Sequence, residues 1–251
     1  MNRRQFIQST LGTVGAMWVA GRPATDSRTF GFLRLEIVAA AINAVLLVGV
    51  ALYVLFEAWR RFQEPPPIAT GLMFSIGVAG LAANAVSFAL LREAHVGSLN
   101  LRGAYLEVMA DLAGSVAVIV AAIVIALTGF LAADPIASAV IGLLILPRTI
   151  TLLRDALNIL LEAVPKGVNL DELRQHIVQA EGVSDVHDLH AWTITSGMNV
   201  VSAHVVLDEA ADPPAVLDEL CRCLSGDFDI EHSTFQLETA DRRRLEEAHH
   251  A

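Results

Sequence analysis

The sequence predicts a polytopic α-helical membrane domain followed by a small α/β domain. Three observations predict it. Of 251 residues, 54% are hydrophobic and only 18% are charged, against about 45–50% and 25% in an ordinary soluble domain. Four long apolar runs lie within residues 1–160, and the remainder turns polar and alternating. Charge divides at the same place: residues 1–160 hold 11 Arg and Lys against 9 Asp and Glu, and residues 161–251 hold 6 against 18. This composition excludes disorder, collagen and a disulfide-built secreted module. Cys221 and Cys223 are the two cysteines. Two apart on a helix, they point in nearly opposite directions and share no metal. No basic stripe exists to grip a phosphate backbone, so nucleic acid is not an expected partner.

The N-terminal apolar stub, residues 1–20, places Arg3-Arg4 before Phe6–Ala20. That run is shorter than the ~20 residues a membrane span needs. It reads as the remnant of a longer transmembrane helix, or as the result of a start codon assigned too late. The alternative is a twin-arginine export signal on Arg3-Arg4-Gln5-Phe6-Ile7 with a poor cleavage site.

Residues 21–160 form the predicted transmembrane domain, with spans over 37–56, 68–91, 105–131 and 136–156. Ile37–Phe56, Ile68–Leu91 and Leu112–Leu131 are free of charge, and Pro147 and Arg148 interrupt the fourth run. Runs of ~20 apolar residues suit the ~30 Å hydrocarbon core, where only helices satisfy the backbone. Glu64-Pro65-Pro66-Pro67 and Ala133-Asp134-Pro135 read as turns. Pro147 is expected to kink the last helix. Placing the 92–104 loop and the C-terminal domain in the cytoplasm puts Arg22, Arg28, Arg34, Arg92, Arg102 and Arg154 inside. Arg60 and Arg61 then stand outside, an exception to the positive-inside tendency.

Residues 161–238 form the predicted cytoplasmic domain, and residues 239–251 a charged tail. Helical spacing marks Val168–Ala180, with Asn169 as its cap. Alternation marks strands over Val183–Thr195, Asn199–Leu207 and Asp229–Leu237, with a second helix over Pro214–Leu224. Helix, strand, strand, helix, strand is an open ferredoxin-like order.

Ionisable residues at membrane depth are expensive and face a pathway or a partner. Glu107 and Asp111 stand four apart at the start of the third secure span, so they share one helical face. Two readings stand: a cation or proton site, or a pair resting in headgroup water. Asp134 is expected as a helix cap, and Asn43 and Asn84 as interhelical hydrogen-bonding residues. In the C-terminal domain, alternation puts Val186, Trp192 and Ile194 on the core face of the first strand. It puts His187, His204 and His232, one per strand, on the other face. Three converging imidazoles make a zinc ligand set; three unrelated exposed histidines are the alternative. His190 is expected as a packed residue, and His95, His176, His249 and His250 as surface residues. The tail holds no nucleophile–base pair, phosphate loop or HExxH, so the chain is not expected to be an enzyme.

Four stretches resemble one family. Arg28-Thr29-Phe30-Gly31-Phe32-Leu33-Arg34-Leu35-Glu36 is similar to the loop before the third helix of the cation diffusion facilitator (cation efflux) family, in its zinc-exporter-like branch. Leu99–Leu106 with Asp111–Ser115 resembles the start of the fifth helix, and Ala133–Ser138 the turn into the sixth. Val186-His187-Asp188-Leu189-His190-Ala191-Trp192 resembles the first cytoplasmic strand. The resemblance covers about residues 21–238 in order, and implies a homodimer in the plasma (inner) membrane. It implies efflux of a divalent cation, Zn²⁺ above all, by proton antiport, with Zn²⁺ also a regulatory ligand. In that scheme Asp111 is the fifth-helix metal ligand, and Glu107 stands where the family has histidine. His187, His204 and His232 match the cytoplasmic metal positions. Read this way, the chain lacks the family's first helix and most of the second. The all-oxygen pair favours Mn²⁺ or another hard divalent cation. The alternative function is a truncated, non-transporting, membrane-anchored metal-binding or dimer-partner protein.

Overall fold

A computed structural model describes residues 23–91, 99–230 and 232–244, with side chains omitted for Leu91 and 99–107. The N-terminal stub, His95, His249 and His250 lie outside the described residues. The chain divides into two compact units, Ala44–Thr151 and the segments flanking it.

Four helices are long and apolar enough to cross a membrane: α1 (Arg34–Gln63), α2 (Thr70–Leu91), α3 (Leu99–Thr128) and α4 (Ala133–Leu160). They run beyond most of the expected spans, because polar residues such as Arg34, Arg60 and Arg154 continue the helices past their apolar stretches. Small residues face inward and large ones outward. Ala44, Ala51 and Ala58 are buried at seven-residue spacing along α1, while Leu46, Tyr53, Phe56 and Trp59 are exposed. That inversion suits a lipid solvent, in which close helix contact replaces hydrophobic burial as the source of packing energy. A Cβ on Gly77 of α2 would come within 2.8 Å of Ile119 Cγ1 on α3, and one on Gly142 of α4 within 2.9 Å of a Leu55 methyl on α1.

The two outward arginines are neutralised locally. Arg60 donates to Glu57 at 2.8 Å, Arg61 donates to the same carboxylate at 3.0 Å, and Arg61 also reaches Asp134 at 3.2 Å. Asp134, expected as a cap, instead lies within the first turn of α4, one residue past the helix start, as an ion-pair partner. α4 continues through Pro147 as one helix.

The C-terminal domain contains α5 (Leu170–Val178), β1 (Val183–Thr195), β2 (Met198–Leu207), α6 (Pro213–Asp227) and β3 (His232–Glu238). Asn169 caps α5, its side chain accepting the Asp171 N–H at 3.0 Å. The sheet order is β1-β2-β3, with β1 antiparallel and β3 parallel to β2. Leu173, Ile177, Val216, Leu220 and Leu224 of the helices pack on Val186, Val201, Ala203 and Val205 of the sheet. Gly182, at φ +84°, enters β1 where a Cβ would lie 2.8 Å from Ala211 Cβ, so glycine is required by both conformation and space.

β1 departs from the expected alternation. His187 pairs with His204, yet His190 pairs with Ser202, so three steps on β1 oppose two on β2. The extra residue is a β-bulge at Asp188, whose φ is +49°. It reverses the facing of everything beyond it. Leu189 and Ala191 join the core, while Trp192 and Ile194 fall on the opposite face, contrary to expectation. His190, expected to be packed, is exposed for the same reason.

Leu220→Ala is expected to lower the stability of this domain by about 2–5 kcal/mol, the range for truncating a buried leucine. Faster hydrogen exchange of the β2 amides in detergent-solubilised protein, with α2 and α3 unaffected, is the readout.

Candidate metal centre

The open face of the sheet gathers donors that the bulge and register bring together. His187 and His204 are direct cross-strand partners, their ring centroids 5.0 Å apart and edge-on at 71°. β3 runs parallel to β2 with Gln236 opposite His204, so Glu238 is the diagonal neighbour, two residues on. Its Oε1 accepts from His204 Nδ1 at 2.9 Å and lies 3.5 Å from His187 Nε2. The ligand atoms of His187, His204 and Glu238 all lie within 4.8 Å of one another.

The electrostatics of this group are unusual. The Glu238 side chain is 1% exposed. Carboxylates are almost never buried this deeply without compensation. Glu238 Oε2 and His187 Nε2 are buried with no hydrogen-bond partner among the described residues. Two orphaned ligand atoms, an acceptor and an imidazole nitrogen, side by side fit a divalent cation bonded to both. Zinc bonds of ~2.0–2.3 Å in a tetrahedron place donors about 3.3–3.8 Å apart, close to the separations found here. Two nitrogens and a carboxylate oxygen suit Zn²⁺ and its neighbours in the first transition row.

His232, expected as the third imidazole, is not brought to this group. It pairs with Val200 at the start of β3. Four residues of strand, about 13 Å at the usual rise, separate it from the row that holds His204. Strand alternation gave its face correctly, but the parallel register sets its position along the strand. Glu238 has the same facing at the other end. Glu238 lies one residue beyond Leu237, where alternation alone ends the strand.

In the membrane unit, Asp111 lines a recess of about 340 Å³ with Gly77, Gly80, Asn84 and Ser115. Asn84 Nδ2 donates to Ser115 Oγ across α2 and α3 at 3.3 Å, as expected of an interhelical asparagine, and Ser115 Oγ donates to the Asp111 carbonyl at 3.0 Å. Among the described residues, Asp111 is the charged one on that lining. Glu107 is one helical turn before it on α3, with its side chain outside the described residues.

These two sites, one among membrane-length helices and one in an α/β domain, correspond to two matched family descriptions. Residues 7–161 match the cation efflux transmembrane domain, and residues 165–240 match the cation efflux protein cytoplasmic domain. This chain belongs to the cation efflux family. Among its relatives, the metal cation efflux system protein CzcD of Cupriavidus metallidurans is 47% identical over 94% of this chain and 75% of that protein. The cadmium, cobalt and zinc/H(+)-K(+) antiporter of Bacillus velezensis is 38% identical over 90% and 73%. The zinc transporter ZitB of Escherichia coli is 40% identical over 89% and 72%. A solved metal-bound C-terminal domain of the CzcD transporter is 44% identical, covering 28% of this chain and 99% of that one with a TM-score of 0.28. As a cation efflux family member this is an integral membrane protein with a cytoplasmic C-terminal domain.

Titrating the detergent-solubilised chain with Zn²⁺ is expected to show a site that His204→Ala or Glu238→Gln weakens by more than about 100-fold, beyond the loss typical of outer-shell changes. His232→Ala leaves it intact. Acidification weakens it, because both imidazoles must be unprotonated to bind metal.

Proposed function

We propose that this chain exports a divalent cation of the zinc type from the cytoplasm in exchange for protons, as a homodimer. The observation that carries the reading is Asp111, a carboxylate on a membrane-length helix lining a recess with Asn84 and Ser115. Family membership supports it, as do relatives named for zinc, cadmium and cobalt transport.

The residues divide the work by chemistry. Asp111 and Glu107 lie four apart on α3. Residues four apart share one face of a helix, so the pair would offer carboxylates to one cation or to protons. Cation and protons therefore compete for one pair of groups, and this competition couples their opposite movements. The all-oxygen pair widens the cargo toward Mn²⁺. In the cytoplasm, His187, His204 and Glu238 would hold a resident cation, which supplies positive charge to the buried carboxylate. Without it, His204 Nδ1 at 2.9 Å and Gln236 Nε2 at 3.5 Å donate to that carboxylate.

One observation favours a second reading, a membrane-anchored metal-binding protein that pairs with another chain. The cytoplasmic group offers three donors from three strands, whereas among the described residues Asp111 is the charged group lining the membrane recess.

Vesicles containing the full chain are expected to accumulate Zn²⁺ or Mn²⁺ when a pH gradient is imposed. Asp111→Ala is expected to abolish uptake and Glu107→His to shift preference toward Zn²⁺. Uptake unchanged in Asp111→Ala overturns the role of that residue. A chain that binds Zn²⁺ at His187, His204 and Glu238 but moves none supports the second reading.

A further inference from the structure

A second group of donors lies on the other side of the cytoplasmic sheet, where the helices pack. The ligand atoms of His176, Cys223 and Asp227 all lie within 4.8 Å of one another. His176 is in the last turn of α5, and Cys223 and Asp227 are in the last two turns of α6. The packing that unites them is hydrophobic. Ile177, next to His176, and Leu220 and Leu224, flanking Cys223, are fully buried in the shared core. Cys223 and Asp227 are four apart, the spacing at which a helix presents two side chains to one point. Sharing that core, α5 and α6 bring His176 Nε2 to 3.2 Å from Asp227 Oδ2. That separation is close to the donor spacing of about 3.3–3.8 Å in a tetrahedral zinc site.

The surroundings favour a cation. α5 and α6 both end at this point, so the negative ends of two helix dipoles converge there. The last turn of α6 contains no basic residue, and that of α5 contains only His176 itself. One wall is apolar: Phe228 meets the His176 ring edge-on at 5.4 Å, and Cys223 and Phe228 both pack against the core. The other side is open, with the Asp227 side chain 62% exposed. Burial first, and then the Asp227 and Glu219 carboxylates, push the Cys223 thiol up, with Arg222 opposing. The thiolate is the form that binds metal, so a cation bound here must displace the thiol proton.

We infer that His176, Cys223 and Asp227 form a second divalent-cation site, one containing sulfur, on the helix side of the cytoplasmic domain. Its nitrogen, sulfur and oxygen donors suit Zn²⁺, Co²⁺ or Cd²⁺, with an open position for water. It is separate from the all-nitrogen-and-oxygen group of His187, His204 and Glu238, and does not depend on the transport reading. A cation here would tie the C-terminal ends of α5 and α6 together.

Sulfur makes the site separable by spectroscopy. Co²⁺ added to the full-length protein in detergent is expected to give a thiolate-to-metal charge-transfer band, which the sulfur-free group cannot produce. Cys221 and Cys223 are the chain's two cysteines, so Cys221→Ser keeps the band and Cys223→Ser removes it. His176→Gln and Asp227→Asn change partly exposed side chains and spare the core. Each is expected to weaken Co²⁺ binding at this band by about tenfold or more, the scale of losing a supporting metal contact. Zn²⁺ binding to His187, His204 and Glu238 persists in all four variants as the check on folding. No sulfur band in the unmodified chain overturns the inference. So does a band that follows Cys221, or one of unchanged affinity in both His176→Gln and Asp227→Asn.

Discussion

One extra residue in β1 sets the arrangement of the cytoplasmic domain. At Asp188 the strand takes three steps where β2 takes two, with a left-handed backbone at φ +49°. Before the bulge, His187 faces the open side of the sheet while Val186 enters the core. After it, Leu189 and Ala191 take over the core, and Trp192 and Ile194 turn outward. A regular strand would have kept Trp192 on the core face with Val186 and left a gap where Leu189 packs. The bulge therefore lets one strand supply a metal donor to one face and continuous apolar packing to the other. At the end of β1, Thr195 and Ser196 donate to Glu36 at the start of α1 at 2.7 and 3.1 Å.

The membrane unit obeys a different constraint. Lipid offers no hydrophobic gain for burying leucine against leucine, so close approach of backbones decides the packing. Ala44, Ala51 and Ala58 on α1, and glycines 77 and 142 on α2 and α4, supply that approach. The same unit shows how charge is tolerated beside an apolar span. Glu57 and Asp134 hold Arg61 between them, so the outward arginines carry little unpaired charge. Asp111 lines a recess between helices with Asn84 and Ser115.

The two cytoplasmic donor groups illustrate two routes to a metal site. His187, His204 and Glu238 come from three strands, and the site is held by backbone ladder hydrogen bonds that fix every Cα. Its carboxylate is deeply buried, and two donor atoms lack a hydrogen-bond partner among the described residues. His176, Cys223 and Asp227 come from two helix ends held together by side-chain packing, and the group is half open to water. The first arrangement is preorganised, with the desolvation of a carboxylate already suffered. The second exchanges more freely with solvent and responds to any shift of α5 against α6. A cation bound at either would stiffen a different layer of the same small domain.

Much of this protein is legible in the sequence because its signals are local. Uncharged runs of about twenty residues mark spans whatever surrounds them, and the periods of helix and strand appear within each segment. The order helix, strand, strand, helix, strand, the Asn169 cap and the role of Asn84 follow from neighbouring residues alone. The metal ligands divide differently. His187 and His204 were identifiable by their facing, whereas exchanging His232 for Glu238 required the parallel register of β3 on β2, a pairing between distant segments. The facing of His190 and Trp192 required the bulge, which no alternation pattern reveals. Cys223 and Asp227 show their helical spacing in the sequence, but His176 reaches them only through the packing of α5 on α6. Composition and period thus determined which elements exist, and short motifs which family they resemble. The tertiary structure alone decided which side chains meet, because register, bulge and helix packing are set by contacts between residues far apart in the chain.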